Sequence, residues 1–324
     1  MTAGLSRWLL IAAVLQLMPL SAQPQTAAKV TRIGYLSPLS RASDADNREA
    51  FRRGLLERGY EEGRNTVIEA RHADGDLDRL PELAADIVRS KVDVIVAAIT
   101  SAVRAAQAAT TSVPVVMAFS GDPVGDGLVA SLARPGGNTT GFSAAVTEIA
   151  AKRVEYLRAA VPAATRFILL ATPTASRSML SASEAAGKTL GVRVTTLFVG
   201  SAADVSRSLS EDPTHRADGV IVDLAIRRNV AQILEIANRQ KLPTVSGPRE
   251  FAAAGGLLAY GADYPDLFRR SASHVDRILR GAKPGDLPVE QPIKFKLIVN
   301  LRTARAIGLT IPLALLTQAD EVIR

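Results

Sequence analysis

The sequence predicts an α/β fold made of two Rossmann-like lobes with parallel sheets, joined by a three-stranded hinge. Three observations carry that expectation. From residue 30 onward, short β-branched runs alternate with Ala- and Leu-rich stretches of helical period. The alternation occurs twice: Asp93-Val94-Ile95-Val96 has a counterpart in Asp218-Gly219-Val220-Ile221-Val222, and Val113-Pro114-Val115-Val116 in Leu242-Pro243-Thr244-Val245. The length, 324 residues, accommodates two domains at about 150 residues each.

In the first half, residues 30–36 read as a strand. Residues 48–58 read as a helix with Phe51, Leu55 and Leu56 on one face and Gly59 as its stop. A strand at 67–70, a helix at 80–90, a strand at 92–97 and a helix at 101–109 follow. The strand at 113–119 is succeeded by a helix expected from Pro123. Near-continuous Val/Ile strands alternating with helices imply a parallel sheet covered on both faces.

The second half repeats the plan, with a strand at 167–170, a helix at 179–190 closed by Gly191, a strand at 192–199 and a helix at 204–209. A helix at 264–280 ends at Gly281, and the extended segments 289–293 and 295–300 read as a crossing strand. Chain passing between lobes near residues 143, 261 and 289 gives the hinge. The expected division is 29–143 with 262–288 for one lobe, and 144–261 with 289–324 for the other.

Residues 1–28 read as an export address. Arg7 is the sole charge before Lys29, an apolar run from Trp8 to about Met18 follows, and small residues appear at Ser21-Ala22 and Thr26-Ala27-Ala28. That is the pattern of a cleaved signal peptide, with cleavage after Ala22 or Ala28, and the run is too short to span a bilayer. With no Cys in the chain, disulfide frameworks, thiolate metal sites, cysteine nucleophiles and a lipoprotein anchor are excluded. The formal charge of +7 comes from Lys and Arg interspersed with Asp and Glu, without a dense basic run interleaved with aromatics. Solvated helix faces account for it, and nucleic acid is not an expected partner.

A search for catalysis finds little. His72, His215 and His274 lack metal-ligand spacing, and neither a G-x-S-x-G elbow nor a P-loop occurs. The Gly-rich stretch 134–141 feeds a strand rather than opening a helix, so it is not a phosphate cradle. No metal and no cofactor is called for. Binding has better support, because ligands in open α/β sheets sit beyond the carboxyl ends of the strands. Those ends carry Ser37 and Ser40, then Thr100 and Ser101, then Ser120, Gly121 and Asp122. In the second half they carry Thr172 and Thr174, Asp223 and Ser246, while Tyr260 stands at a lobe crossing. Hydroxyls and free N–H groups at helix N-termini suit a carboxylate, and Asp122 or Asp223 suits an ammonium group. The same positions also serve as ordinary N-caps, the second reading of Thr100, Ser101, Thr174 and Asp122.

Several stretches resemble one family in order along the chain. They include Phe51-Arg52-Arg53-Gly54-Leu55, Gly121-Asp122-Pro123-Val124-Gly125-Asp126-Gly127-Leu128-Val129 and Leu132-Ala133-Arg134-Pro135-Gly136-Gly137-Asn138. Gly255-Gly256-Leu257-Leu258-Ala259-Tyr260-Gly261, Leu287-Pro288-Val289-Glu290-Gln291-Pro292 and Leu309-Thr310-Ile311-Pro312 complete the pattern. The chain resembles substrate-binding proteins of ABC transporters, of the tryptophan/tyrosine-type uptake group. The resemblance implies a type I periplasmic binding fold that closes on a small ligand, an amino acid or small carboxylate, and delivers it to an ABC permease in the inner membrane. It implies a periplasmic monomer without enzymatic activity. Departures fall at the pocket: Thr100-Ser101 replaces a Thr-Pro pair, Thr172-Pro173 an Asn-Pro, and Asp223 is followed by Leu224-Ala225 instead of Pro and an aromatic, which removes a stacking surface there. A binder that feeds a sensor or chemoreceptor is the alternative. A repressor on this scaffold needs an N-terminal helix-turn-helix, whose place the export address occupies.

Overall fold

The computed structural model describes residues 30–173, 175–200, 202–207, 209, 217–223, 226 and 229–324. The expected signal peptide, Thr174, Leu224 and Ala225 lie outside them.

The first lobe is built on β1 (Thr31–Ser37), α1 (Ala45–Leu56), β2 (Thr66–His72), α2 (Leu80–Arg89), β3 (Val94–Ala98), α3 (Ile99–Ala109), β4 (Val115–Ser120) and β5 (Thr139–Ser143). The chain then enters the second lobe through α4 (Val146–Ala160), β6 (Arg166–Ala171), α5 (Arg177–Thr189), β7 (Arg193–Phe198), α6 (Ala202–Ser206), β8 (Gly219–Val222), α7 (Val230–Arg239), β9 (Thr244–Ser246), α8 (Arg249–Ala253) and β10 (Leu258–Ala262). It returns for α9 (Tyr264–Leu279), which packs on α1 and β4. It ends in the second lobe with β11 (Phe295–Asn300), α10 (Leu301–Ala306), α11 (Leu313–Gln318) and β12 (Glu321–Ile323).

The first sheet has the order β2-β1-β3-β4-β5 and is parallel throughout. The second runs β12-β11-β10-β9-β8-β6-β7, with β10 and β11 as its antiparallel pair. The pleat explains the apolar runs. Val94 and Val96 pack toward Phe51 and Phe268, while Ile95 and Ala97 pack toward Ala84 and Val103 on the other face. In the second sheet Leu169 and Ile221 meet Val154 and Leu157, and Ile168, Val220 and Val222 meet Ile233 and Phe251. Both faces of each sheet are therefore apolar, which is why the strands lack polar alternation.

The chain passes between the sheets three times, after β5, after β10 and before β11. Backbone bonds tie the crossings together: Ser143 N donates to Glu290 O at 2.8 Å, Glu290 N to Gly141 O at 2.9 Å, and Asp263 N to Lys294 O at 3.0 Å.

One expected helix is absent. Residues 123–127 form turns. Asp122 Oδ1 accepts from Gly125 N at 2.9 Å, a local bond that competes with the helical ladder, and Gly127 leaves it with φ +69°.

Candidate functional site

Residues at the carboxyl ends of β3 and β4 in one sheet and of β8 and β9 in the other border one shared space. A cavity of about 750 Å³ lies there, with walls from both lobes and from the crossing at residues 261–265. That volume is in the range of small-molecule sites.

The first lobe supplies a preset loop. Ser40 and Ser43 line the cavity and share a hydroxyl contact of 2.9 Å. Beneath them the fully buried Tyr35 hydroxyl donates to Asp44 Oδ2 at 2.8 Å, and Asn47 Nδ2 donates to Asp44 Oδ1 at 3.0 Å. Burial, then the neighbouring Asp44 carboxylate, push the Tyr35 hydroxyl well above its ordinary pKa, so it stays a donor. Ile99, another wall residue, has φ +67°. A β-branched residue rarely occupies that region, at a cost of about 1–3 kcal/mol.

Aromatic rings form one side. Phe119 is the penultimate residue of β4, and its centroid lies 4.6 Å from the Tyr264 ring and 6.0 Å from Phe268, the latter edge to face. Phe119 and Tyr264 border the cavity, and the fully buried Phe268 ring backs them.

The second lobe supplies charge. Asp223, 8% exposed at the end of β8, faces the cavity with Ser246 and Gly247 at the end of β9. Behind Gly247 lies Arg153 of α4, 6% exposed, whose Nε donates to Tyr260 O at 2.9 Å. A Cβ on Gly247 would stand 2.4 Å from Arg153 Nη2, so any larger residue there displaces the guanidinium. Burial lowers the Arg153 pKa, opposed by Tyr264 and Asp223.

The other cations of the wall are already balanced. Arg249 binds Glu321 through two bonds, at 2.9 and 2.6 Å, and Lys296 Nζ lies 2.8 Å from Asp263 Oδ2. Asp46 and Glu250 also line the cavity and have no ion pair among the described residues. The lining therefore carries surplus negative charge, suited to a ligand with an ammonium group.

Of the residues expected from the sequence, Ser40, Asp223 and Ser246 line this cavity together. Ser246 Oγ donates to Val222 O at 2.8 Å, which joins two strand ends. Ser37 is fully buried, and its Oγ accepts from Leu39 N at 3.2 Å. Thr100, Ser120 and Gly121 form a separate cluster beside the lining: the hydroxyls are 2.8 Å apart and Gly121 N donates to Thr100 Oγ1 at 3.3 Å. Ser101 is half-buried in the first turn of α3, and Thr172 half-buried after β6. Asp122 bridges the lobes, since Ser178 Oγ on α5 donates to its Oδ2 at 2.6 Å. The Tyr260 ring packs between Tyr156, at 4.8 Å, and Phe295, at 6.1 Å.

The sequence reading missed Asn47, Ile99, Phe119, Tyr264 and Arg153. Phe119 stands one position before the hydroxyl at a strand end, so a wider window over that end includes it. For Arg153 the signal is a lone cation at apolar spacing on one helix, between the buried Ile149 and Leu157.

Comparison with known proteins agrees with this architecture. The ABC transporter substrate binding protein family matches residues 32–323. The chain is 26% identical over 285 residues to a tyrosine-binding protein of Clostridioides difficile, covering 87% of this chain and 82% of that one. It is similar to the ABC domain of Streptococcus pneumoniae in complex with L-Trp, with 28% identity, a TM-score of 0.82, and coverage of 90% and 99% of the two chains. A conserved domain protein from Vibrio cholerae has 25% identity and a TM-score of 0.83 over 91% of this chain and all of that one. With a match over nearly its whole length, on two lobes enclosing a ligand-sized cleft, the chain belongs to the family of ABC transporter substrate binding proteins.

Proposed function

We propose that the protein captures an aromatic amino acid in the interlobe cleft outside the inner membrane and delivers it to an ABC permease. The observation that carries this reading is a single cavity lined by the Phe119 and Tyr264 rings and by the Asp223 carboxylate. Flat rings stack on rings, and an ammonium group hydrogen-bonds a carboxylate that is otherwise largely removed from water. The L-Trp complex and the tyrosine-binding relative support the same ligand class. The aromatic surface comes from β4 and α9, not from the positions after Asp223. A ligand in this space touches both lobes fully when they close around the three crossings, so its binding free energy favours the closed form, which is the form offered to the permease.

A thermal-shift screen over the amino acids tests the ligand class. L-Tryptophan or L-tyrosine at 100 times its dissociation constant stabilises the fold by about 2.7 kcal/mol, and aliphatic amino acids at the same concentration give a smaller shift. A uniform response, or one led by an acidic amino acid, would overturn the assignment.

A further inference from the structure

Arg153 is a buried cation of the second lobe that packs behind the Gly247 part of the cleft wall. It lies on α4, on the face that carries Ile149 and Leu157 into the core. Its Nε binds the Tyr260 carbonyl near the end of β10, two residues before the chain crosses to the other lobe. Its Nη2 packs under Gly247, and the Tyr264 hydroxyl converges on the same glycine, 3.5 Å from where a Cβ would stand. Tyr264 is the first residue of α9, on the far side of that crossing. Asp223, just after β8, favours the charged guanidinium, against the stronger effect of burial. A guanidinium removed from water is costly unless its donors and its charge are matched. Here the matching groups are a cleft carboxylate and two residues that flank a hinge strand.

We propose that Arg153 is a positioning residue that couples occupation of the cleft to rotation at the hinge. It sets the Asp223 carboxylate toward the ligand and fixes Tyr264 relative to the second lobe. An ammonium group at Asp223 changes the field at Arg153, whose bond to the Tyr260 carbonyl and packing against Gly247 beside the Tyr264 hydroxyl carry that change to the crossing. The ligand half of this coupling rests on the function proposed above; the hinge half does not.

The absence of cysteine makes the test direct. Arg64→Cys and Arg239→Cys, at exposed sites on opposite lobes, carry spin labels for a pulsed electron–electron distance measurement. The labelled parent is compared with Arg153→Gln, Arg153→Lys and Gly247→Ala, the last of which keeps the charge but displaces the guanidinium. Without ligand, Arg153→Gln and Gly247→Ala broaden or shift the interlobe distance distribution, and Arg153→Lys falls between them and the parent. With L-tryptophan as probe, affinity falls about tenfold or more in Arg153→Gln, which is about 1.4 kcal/mol, and the ligand-induced shortening is lost. Distributions that superimpose on the parent's in Gly247→Ala and Arg153→Lys would overturn the proposal, even if Arg153→Gln fails to fold. A parent that ignores L-tryptophan counts against the ligand reading, and the ligand-free distances still decide the hinge.

Discussion

His274 is fully buried on α9, with its ring 5.2 Å from Phe142 in an edge-on contact and its Nε2 donating to Pro288 O at 3.2 Å. Burial, the strongest influence, holds its pKa below the ordinary value of 6.5, opposed by the bond to Pro288 O and by Glu290 and reinforced by Arg277 and Arg270. A folded pKa below the unfolded one means that the unfolded chain binds the proton more readily. The stability tied to this group is therefore whole above pH 6.5 and is lost as pH falls through that value toward the folded pKa. Melting followed by circular dichroism should show a lower transition temperature at acid than at neutral pH, with a shallower slope in His274→Gln. An identical slope in the variant would place the acid sensitivity elsewhere. At this scale the sequence was legible where a residue ends a strand, as Asp223 and Ser246 do. It was not legible where a side chain reaches its site through the core. Arg153 has helical neighbours that give no hint of Gly247, nearly a hundred residues away in the chain.

Among the elements, α1 and α9 show what close approach demands. A Cβ on Gly54 would sit 2.1 Å from Arg269 O, a backbone atom that cannot swing aside. Gly54→Ala should therefore separate the two helices and cost about 1–3 kcal/mol despite the better helix propensity of alanine. Chemical denaturation measures it, and an unchanged midpoint would show that the helices part freely. The strands were readable because burial on both faces demands Val and Ile. Among the helices not expected from the sequence, α4 begins after Ala145 at φ +52° with no side-chain cap, and α7 follows Asn229, whose side chain makes no cap bond. The last strand, β12, owes its existence to pairing with β11 around residue 299, a partner that local sequence does not reveal. At 123–127 the helical expectation yielded to the Asp122 turn.

For the molecule as a whole, the lobes are held by the three crossings, one of them contacted by Arg153, and by the bond from Ser178 to Asp122 across the cleft. Removing one partner of a hydrogen bond to a carboxylate costs about 1.5–3 kcal/mol. Ser178→Ala should thus open the ligand-free protein, seen as an increased radius of gyration in small-angle scattering; an unchanged radius would mean that the crossings alone fix the lobes. The repeated strand–helix pattern made the two-lobed plan legible from sequence, whereas the aromatic wall arises only when β4 and α9, far apart in the chain, are packed together. That wall and the Asp223 carboxylate of the same cavity are tested most directly by titration calorimetry. L-Tryptophan is titrated into the parent and into Asp223→Asn, with L-leucine as the comparison. The account predicts one site per chain, preference for the aromatic ligand, and binding weakened by about tenfold or more in the variant, the effect of losing a charged hydrogen bond. Absence of saturable heat with both L-tryptophan and L-tyrosine, or equal affinity in Asp223→Asn, would contradict it.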